Sequence, residues 1–590
     1  MPDHLDGDDA SSRDYTTVSE ATPLLRSDTS SQTSRSSSLS GASRQHNALP
    51  LKAAPDLDEP HVKVSRNRAI AIMVSVYILI FLQACNMSGM TMAQSTIAEE
   101  LDAYESATWF TSSYLIAMSS FGPLAGRLAA IFSPRLIILV TSVFFVLGGL
   151  VSAQAQSLSV FILGRVLTGT GGAGIFVTAM ILVLELTNKR KRGLFVGLVN
   201  TAFTTGISLG AVFFGGLIPI TGWRFLFWVQ TPLAAMAGLG VYLSLPKSFE
   251  PGKEGKYIST SDKLKKIDYL GAVLLTGALI TFLYGLSNTI QLVPIVISAG
   301  MLIAFVLVEY FVAADPIIPI VVLQSRGALL SCLSQLGFMA ARWTILFYAP
   351  ITALAVFGFS PATSGSMLIP TNIGFGVGGL IVGWLHVKRA GSFWLPCLVS
   401  LVLFGLSLFA LSFTSSPSVP TWVFVGTIFV NGLCTGAALN YTLAHMLHLT
   451  PSNTHYIATS LLGTFRGFAG SFGSAIGGGI FARTLRDGLE RGFKTLDNTE
   501  HLSFDRQQLI KRLLGSPALV HGGGLGAIEQ QVAVQGYVAG IKVLFQSAVI
   551  LAAIVFFLQA ATGWKGPTDQ EDNEEDVRED LAEADPEYEA

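Results

Sequence analysis

Arginine is among the side chains an apolar helix tolerates least, yet this sequence places one inside such a run three times, at Arg165, Arg342 and Arg466, with Lys542 as a fourth cation. A charge at the centre of a membrane helix costs roughly +2.5 to +3.5 kcal/mol on insertion scales, so each needs a reason. The chemistry open to a buried guanidinium is binding: it donates several hydrogen bonds, accepts none and keeps its proton. The acids are placed the opposite way. Between residues 106 and 249 the single carboxylate is Glu185, between 316 and 486 there is none, and Glu309 lies near the end of an apolar run. A cationic interior without acidic counter-charge favours anionic or neutral polar cargo. The amides Asn86 and Asn431, with the rings of Trp343 and Tyr348, would orient such a molecule, because ligand sites combine apolar walls with a few polar groups. Each has a plainer reading as well, the arginines capping carbonyls and the amides bridging helices.

His445 is the imidazole in these runs that titrates near neutral pH, although a lone membrane histidine is more often a hydrogen-bonding packer. Cys85, Cys332, Cys397 and Cys434 have no CxxC spacing and no His cluster, and read as small buried hydrophobes. No phosphate-cradling loop, metal cluster or nucleophile motif argues for an enzyme, and no cofactor is expected.

Such residues need a frame of apolar elements. Of 590 residues, 51% are hydrophobic and only 13% charged, with a mean hydropathy of +0.54, where soluble domains carry about 25% charge. A soluble chain of this length would form several domains, each with a charged surface, so most of this surface must face lipid. The net charge of −2 points to no nucleic-acid partner. Apolar runs of about twenty residues, the length a helix needs to cross a bilayer, fall at 69–91, 108–128, 136–153, 159–183, 194–218 and 225–245, then 269–287 and 292–312. Six more follow at 328–348, 362–384, 393–413, 421–446, 457–481 and 537–560. The expected fold is an all-α polytopic membrane protein of fourteen spans arranged six, two and six. A disordered tail (1–65) precedes a six-helix bundle (66–250). A linker with two inserted helices (251–325) leads to a second bundle (326–562) with a long non-cytosolic loop (482–536), and an acidic tail (563–590) ends the chain.

Loop charge orients this frame. Basic residues occupy alternate connections: Lys63, Arg66 and Arg68; Arg127 and Arg135; Lys189 to Arg192; Lys388 and Arg389. The connection after the first span is acidic, with Glu99, Glu100, Asp102 and Glu105. The positive-inside rule then puts both termini in the cytosol, and the basic residues of 482–536 do not count against it because long segments translocate regardless of charge. Many of the 59 glycines fall inside spans, Gly206 and Gly210 among them at i, i+4, where small residues let helices cross closely.

The order of several short segments resembles the major facilitator superfamily, in particular its fourteen-span drug:proton antiporter branch, over residues 66–562. Phe81-Leu82-Gln83-Ala84-Cys85-Asn86 followed by Thr96-Ile97-Ala98-Glu99-Glu100-Leu101 is similar to that family's opening helix and its exit. Gly126-Arg127-Leu128 to Arg135 stands where the cytoplasmic loop signature belongs, and Gly164-Arg165-Val166-Leu167-Thr168-Gly169-Thr170-Gly171 matches the span 4 motif. Gly206 to Ala211 with Gly215-Gly216 resembles the span 5 antiporter motif; Gly222-Trp223-Arg224, Asp315-Pro316, Phe347-Tyr348-Ala349-Pro350 and Phe465-Arg466-Gly467 follow in order. The resemblance implies two six-helix bundles around a cavity that opens alternately to each side, moving a small-molecule substrate. It makes Arg165 a central-cavity arginine, and it marks Arg127, Arg135, Glu185, Gly206, Gly210 and His445 as candidates for conformational change or coupling.

Departures from the pattern bear on mechanism. Asn86 stands where the family usually carries Asp, and in the loop signature Ala130, Ser133 and Pro134 replace Asp, Gly and a basic residue. Ala211 replaces the span 5 proline. The expected function is export of toxins, drugs or secondary metabolites, with proton coupling inherited from the resemblance alone. A vacuolar amino-acid transporter and a non-transporting nutrient receptor are the alternatives. In the tail, Glu20-Ala21-Thr22-Pro23-Leu24-Leu25 resembles an acidic dileucine sorting signal that an adaptor would read, so both plasma and vacuolar membranes stand open.

Overall fold

Lipid offers no hydrogen bonds to a backbone, so a chain this apolar satisfies its amides within helices. The computed structural model describes residues 65–187, 189–246, 268–287, 290–312, 325–383, 392–450 and 455–564, and helix is the regular structure found there. The first bundle contains α1 (Arg66–Glu100), α2 (Ala107–Phe132), α3 (Pro134–Ala153) and α4 (Leu158–Leu186). It is completed by α5 and α6, the two arms of the helix Lys189–Ser244 on either side of Gly222, whose φ of 75° breaks it. The inserted pair is α7 (Tyr269–Ser287) and α8 (Leu292–Phe311). The second bundle is α9 (Arg326–Ala355), α10 (Leu368–Ile381, preceded by the turn Pro361–Ser366), α11 (Trp394–Thr414), α12 (Thr421–Leu449), α13 (His455–Asp497) and α14 (Ala527–Ala560).

Among the described residues, ten helices are long and apolar enough to cross a membrane, one of them, Gly197–Ser244, holding the two crossings α5 and α6. The three crossings outside that set are α2, α10 and α13: the described helix of α10 is only 14 residues long, and α2 and α13 owe their polar residues to position. All three line the seam between the bundles. Ser112 and Ser119 of α2 bond Ser474 and Ser471 of α13 at 2.9 and 3.2 Å. On the other flank Asn372 Nδ2 of α10 donates to Ser208 Oγ of α5 at 2.9 Å. A residue facing a neighbouring helix need not be greasy, and interhelical hydrogen bonds of this kind contribute about 0.6 kcal/mol each in membranes.

The expected loop 482–536 is corrected by the structure. Helix α13 continues to Asp497, a cap helix runs Phe504–Gly515, a 3-10 turn covers Pro517–His521, and α14 begins at Ala527. The reason is legible in side-chain spacing. Phe481, Leu485, Leu489 and Phe493 recur every fourth residue, making one buried stripe, and this stripe packs on Gly536 and Gly540 of α14. Charged residues on the outer face dilute the mean hydropathy without interrupting the stripe. Arg506 then ties the cap helix down: its Nε donates to Asp497 Oδ2 at 2.9 Å, and a second nitrogen bonds Glu529.

The inserted pair attaches along the α2–α13 flank. Phe282 and Phe472 rings lie 5.8 Å apart, and Arg483 Nη1 donates to Leu286 O at 3.0 Å. Most of α8 stays exposed, including Leu292, Val296 and Ile303, as a lipid-facing surface would be.

Candidate functional site

In the first bundle, Arg165 is fully buried and held by three helices. Its Nε donates to Phe110 O of α2 at 2.8 Å and Nη1 donates to Asn86 Oδ1 of α1, with Asn86 Nδ2 in turn donating to Gln230 Oε1 of α6 at 3.2 Å. The guanidinium lies 4.6 Å over the Tyr114 ring and 5.9 Å from that of Phe227. Hydrogen bonds to a charged group contribute about 1.5–3 kcal/mol each, and a desolvated cation–π contact about 2, enough together to offset burial of the charge. Its Nη2 has no described partner. Gly172 permits the cluster to close, since a Cβ there would stand 2.9 Å from Tyr114 Oη.

The second bundle carries a counterpart midway along α9. Arg342 of α9, 2% exposed, donates from Nη1 to Thr371 Oγ1 at 2.7 Å. Nη2 donates to Thr371 O at 3.3 Å and to Asn372 Oδ1 at 3.1 Å, and the Phe375 ring lies 5.1 Å away. Asn372 is the residue that reaches Ser208 across the seam. Arg466 lies on α13, which packs against α9 through Gly473. Among the described residues, the fully buried Asp, Glu, Lys, Arg and His side chains of the two bundles are Arg165, Arg342, His445 and His448; Glu309 is on the inserted α8.

The described hydrogen bonds between the bundles all lie from mid-depth to the end carrying the cap. Ser95 Oγ accepts from Ala518 N at 3.4 Å, and Glu105 pairs with Arg486 at 3.3 Å and Lys511 at 3.9 Å. Gly515 abuts Tyr104 and Gly215 abuts Pro361 so closely that a Cβ at either would fall within 2.5 Å of backbone. His521 completes the seal on the second bundle, 3.2 Å from Ala355 O. A cleft of about 310 Å³ lined by Glu105, Arg486, Lys494 and Lys511 opens beside these ion pairs. It is water-facing and mixed in charge, so it belongs to the seal and not to the guanidinium sites. Towards the opposite end, an added Cβ at Gly122 of α2 or Gly463 of α13 would meet nothing within 4 Å.

Of the residues expected at the cavity, Asn86 and Arg165 meet directly. Trp343, stacked on Phe347 at 5.4 Å, follows Arg342 and touches Gly470 and Gly473. Tyr348 packs on Phe481, 4.7 Å between centroids. Asn431 stands apart, donating to Ser407 Oγ at 2.8 Å between α12 and α11. Among the coupling candidates, Gly206 and Gly210 form the crossing of α5 over α1, where added Cβ atoms would meet Phe81 O at 2.6 Å and Cys85 Cα at 2.5 Å. Arg135 bonds Tyr242 O at 2.8 Å and covers its ring, pinning α3 to α6. His445 bonds Thr562 Oγ1 at 2.9 Å near the end of α14, away from both arginine clusters. Arg127 lies near the end of α2; Glu185 lies on α4, its side chain outside the described atoms. Glu20, Leu24 and Leu25 lie outside the described residues.

Sequence reasoning misses Gln230 and Tyr114. A lone amide in the sixth apolar run is the available signal for Gln230; nothing separates Tyr114 from other aromatic residues. Glu100 and Trp223-Arg224 read in sequence as unrelated motif fragments. They are one cluster, Trp223 Nε1 donating to Glu100 Oε2 at 2.5 Å and Arg224 pairing with the same carboxylate.

The family model described as Major Facilitator Superfamily matches residues 76–474. Among curated relatives, the chain is 27% identical over 463 residues to the vacuolar membrane amino acid uptake transporter fnx2 of Schizosaccharomyces pombe, covering 76% of this chain and 77% of that one. It is 24% identical over 440 residues to the efflux pump aflT of Aspergillus parasiticus, covering 72% and 84%. Among solved structures, a bacterial homologue of the human lysosomal transporter Spinster, crystallised inward-facing and unoccupied, superposes with a TM-score of 0.56 at 15% identity, covering 84% of this chain and 98% of that one.

Proposed function

The chain belongs to the major facilitator superfamily, and from that premise we propose that it is a secondary active exporter of small organic molecules, carrying them out of the cytosol by alternating access. The observation that carries this reading is the pair of guanidinium clusters in facing bundles, with cross-bundle contacts at the capped end. With basic connections at the opposite end, the positive-inside rule assigns that end to the cytosol, the side from which an exporter's cargo arrives. The efflux pump among its relatives supports the same direction.

The likeness to a vacuolar amino-acid transporter favours a second reading, in which the receiving compartment is the vacuole. There the motif Glu20 to Leu25 would be read by a sorting adaptor on the cytosolic tail. The two readings share a mechanism and differ in membrane and cargo.

Purified full-length protein in proteoliposomes tests the proposal, loaded with metabolite extract from cells lacking the protein and assayed with and without an imposed pH gradient. Depletion of particular metabolites that depends on the gradient supports proton-driven export. Depletion that ignores the gradient removes proton coupling while leaving transport. No movement of any compound overturns the transporter reading and favours a receptor.

A further inference from the structure

One feature of the second bundle has no explanation in packing alone: Arg342, a guanidinium 2% exposed, whose described partners are all neutral, the hydroxyl and carbonyl of Thr371, the Asn372 amide and the Phe375 ring. Gly473, with an ideal Cβ only 2.5 Å from Ala340 O, shows how tightly α13 is drawn against α9 beside Arg342. A cation in so poorly hydrated a place is costly unless an opposite charge stands near it. Among the described residues the chain supplies none from either bundle: the buried carboxylate is Glu309, on the inserted α8.

We infer that the missing counter-charge is the cargo's own, so that the transported molecules are organic anions, a carboxylate, sulfonate or phosphate on a flat apolar body, with the anionic group held by Arg342 in the second bundle. The stacked pair Trp343 and Phe347, next along the same helix, supplies the flat apolar wall. A guanidinium suits the anion because its fork matches two oxygens of one group. This inference rests on the exporter reading above and sharpens it to a substrate class.

The same contact links cargo to movement. Arg342 Nη2 holds Asn372 Oδ1, and Asn372 Nδ2 holds Ser208 of the other bundle. An anion that takes Nη2 competes with Asn372 and loosens a bond across the seam. Binding therefore acts directly on the contact that bundle rotation must break.

The test compares two dyes with a shared xanthene body and opposite charge, 5-carboxyfluorescein and rhodamine 123, in proteoliposomes of the full-length protein. The expected result is that 5-carboxyfluorescein moves at least about tenfold faster, that naphthalene-1-sulfonate competes with it, and that Arg342→Gln lowers its rate about tenfold or more while Arg342→Lys keeps a measurable preference. Asn372→Ala, which cuts the seam contact and leaves the guanidinium, is expected to keep the anion preference while changing the turnover rate. Rhodamine 123 moving as fast or faster, or naphthalene-1-sulfonate failing to compete on the unaltered protein, overturns the inference and leaves export standing. Movement of neither dye overturns the inference and leaves the exporter reading to the metabolite assay above. The competition needs no variant, so a misfolded Arg342→Gln protein does not remove the test.

Discussion

Arg165 Nη1 donates to Asn86 Oδ1, and this neutral amide is the group the structure sets against a fully buried cation. Where the resembled family usually carries an ionisable Asp, this chain offers an acceptor that cannot take up a proton. The arginine is still held, through Phe110 O and the Tyr114 ring.

Replacing that acceptor separates holding from titrating. Asn86→Leu removes one charge-assisted hydrogen bond and leaves Gln230 without its donor, and is expected to destabilise the protein by about 2–3 kcal/mol. Asn86→Asp keeps the acceptor and adds a titratable group, so the efflux rate should gain a dependence on pH beyond that of the unaltered protein. Thermal unfolding checks the first; initial rates across a pH series check the second.

The seam between α2 and α13 should be lockable. Ser112 and Ser474 hydroxyls lie 2.9 Å apart, a separation from which a disulfide is reached with small adjustment. In a background where Cys85, Cys332, Cys397 and Cys434, all buried and free, are replaced, Ser112→Cys with Ser474→Cys should lose transport on oxidation and regain it on reduction. Unchanged transport with a formed cross-link, seen by mass spectrometry, would mean the bundles do not part along this line.

Gly210 and Gly197 make a matched contrast on one helix. A Cβ at Gly210 would meet Cys85 Cα at 2.5 Å, whereas at Gly197 it would meet nothing within 4 Å. Gly210→Ala should destabilise by about 1–3 kcal/mol through overpacking. Gly197→Ala should be neutral or stabilising by up to about 1 kcal/mol through helix propensity. Unfolding temperatures of the two variants decide it.

Ser133 joins α2 to α3 at φ 97° and ψ 140°, backbone that only glycine adopts freely. Ser133→Gly should stabilise by about 1 kcal/mol or more, since strain of this kind costs about 1–3 kcal/mol and the N-cap loses only a few tenths in exchange. A lowered unfolding temperature would contradict this.

The cap should stay latched across the neutral range. Hydrogen bonds from Arg506 to Asp497 and Glu529 hold its guanidinium above the usual arginine range. A raised cation contributes its stability in full below the ordinary value and loses it only as pH rises past the folded one, so Arg506 stays charged between about pH 5 and 9. Arg506→Ala should free residues 498–526 for proteolysis throughout that interval, while the unaltered cap resists. Equal digestion rates would show that the apolar stripe of α13, not Arg506, holds the cap.

Much of the fold is legible in residue order. Fourteen crossings follow from apolar runs of bilayer length, because a helix in lipid has no other way to satisfy its backbone. The extension of α13 reads as loop because mean hydropathy averages over faces, while Phe481, Leu485, Leu489 and Phe493 share one face only. Asn431 looks equivalent to Asn86 as an amide in an apolar run. Helix rotation separates them, turning one towards Ser407 and the other towards Arg165.

By itself, the sequence determined what must be inside a membrane, which connections are basic and where cations lack acids, since each of these depends on residue type and distance along the chain. Only the tertiary structure decided which groups meet: Asn86 with Gln230, 144 residues on, Asn372 with Ser208, 164 residues back, and Glu105 with Arg486, 381 residues on. Those pairings depend on how each helix is rotated about its axis. Small-residue crossings such as Gly210 on Cys85 fix that rotation, and no periodicity within a single span records it.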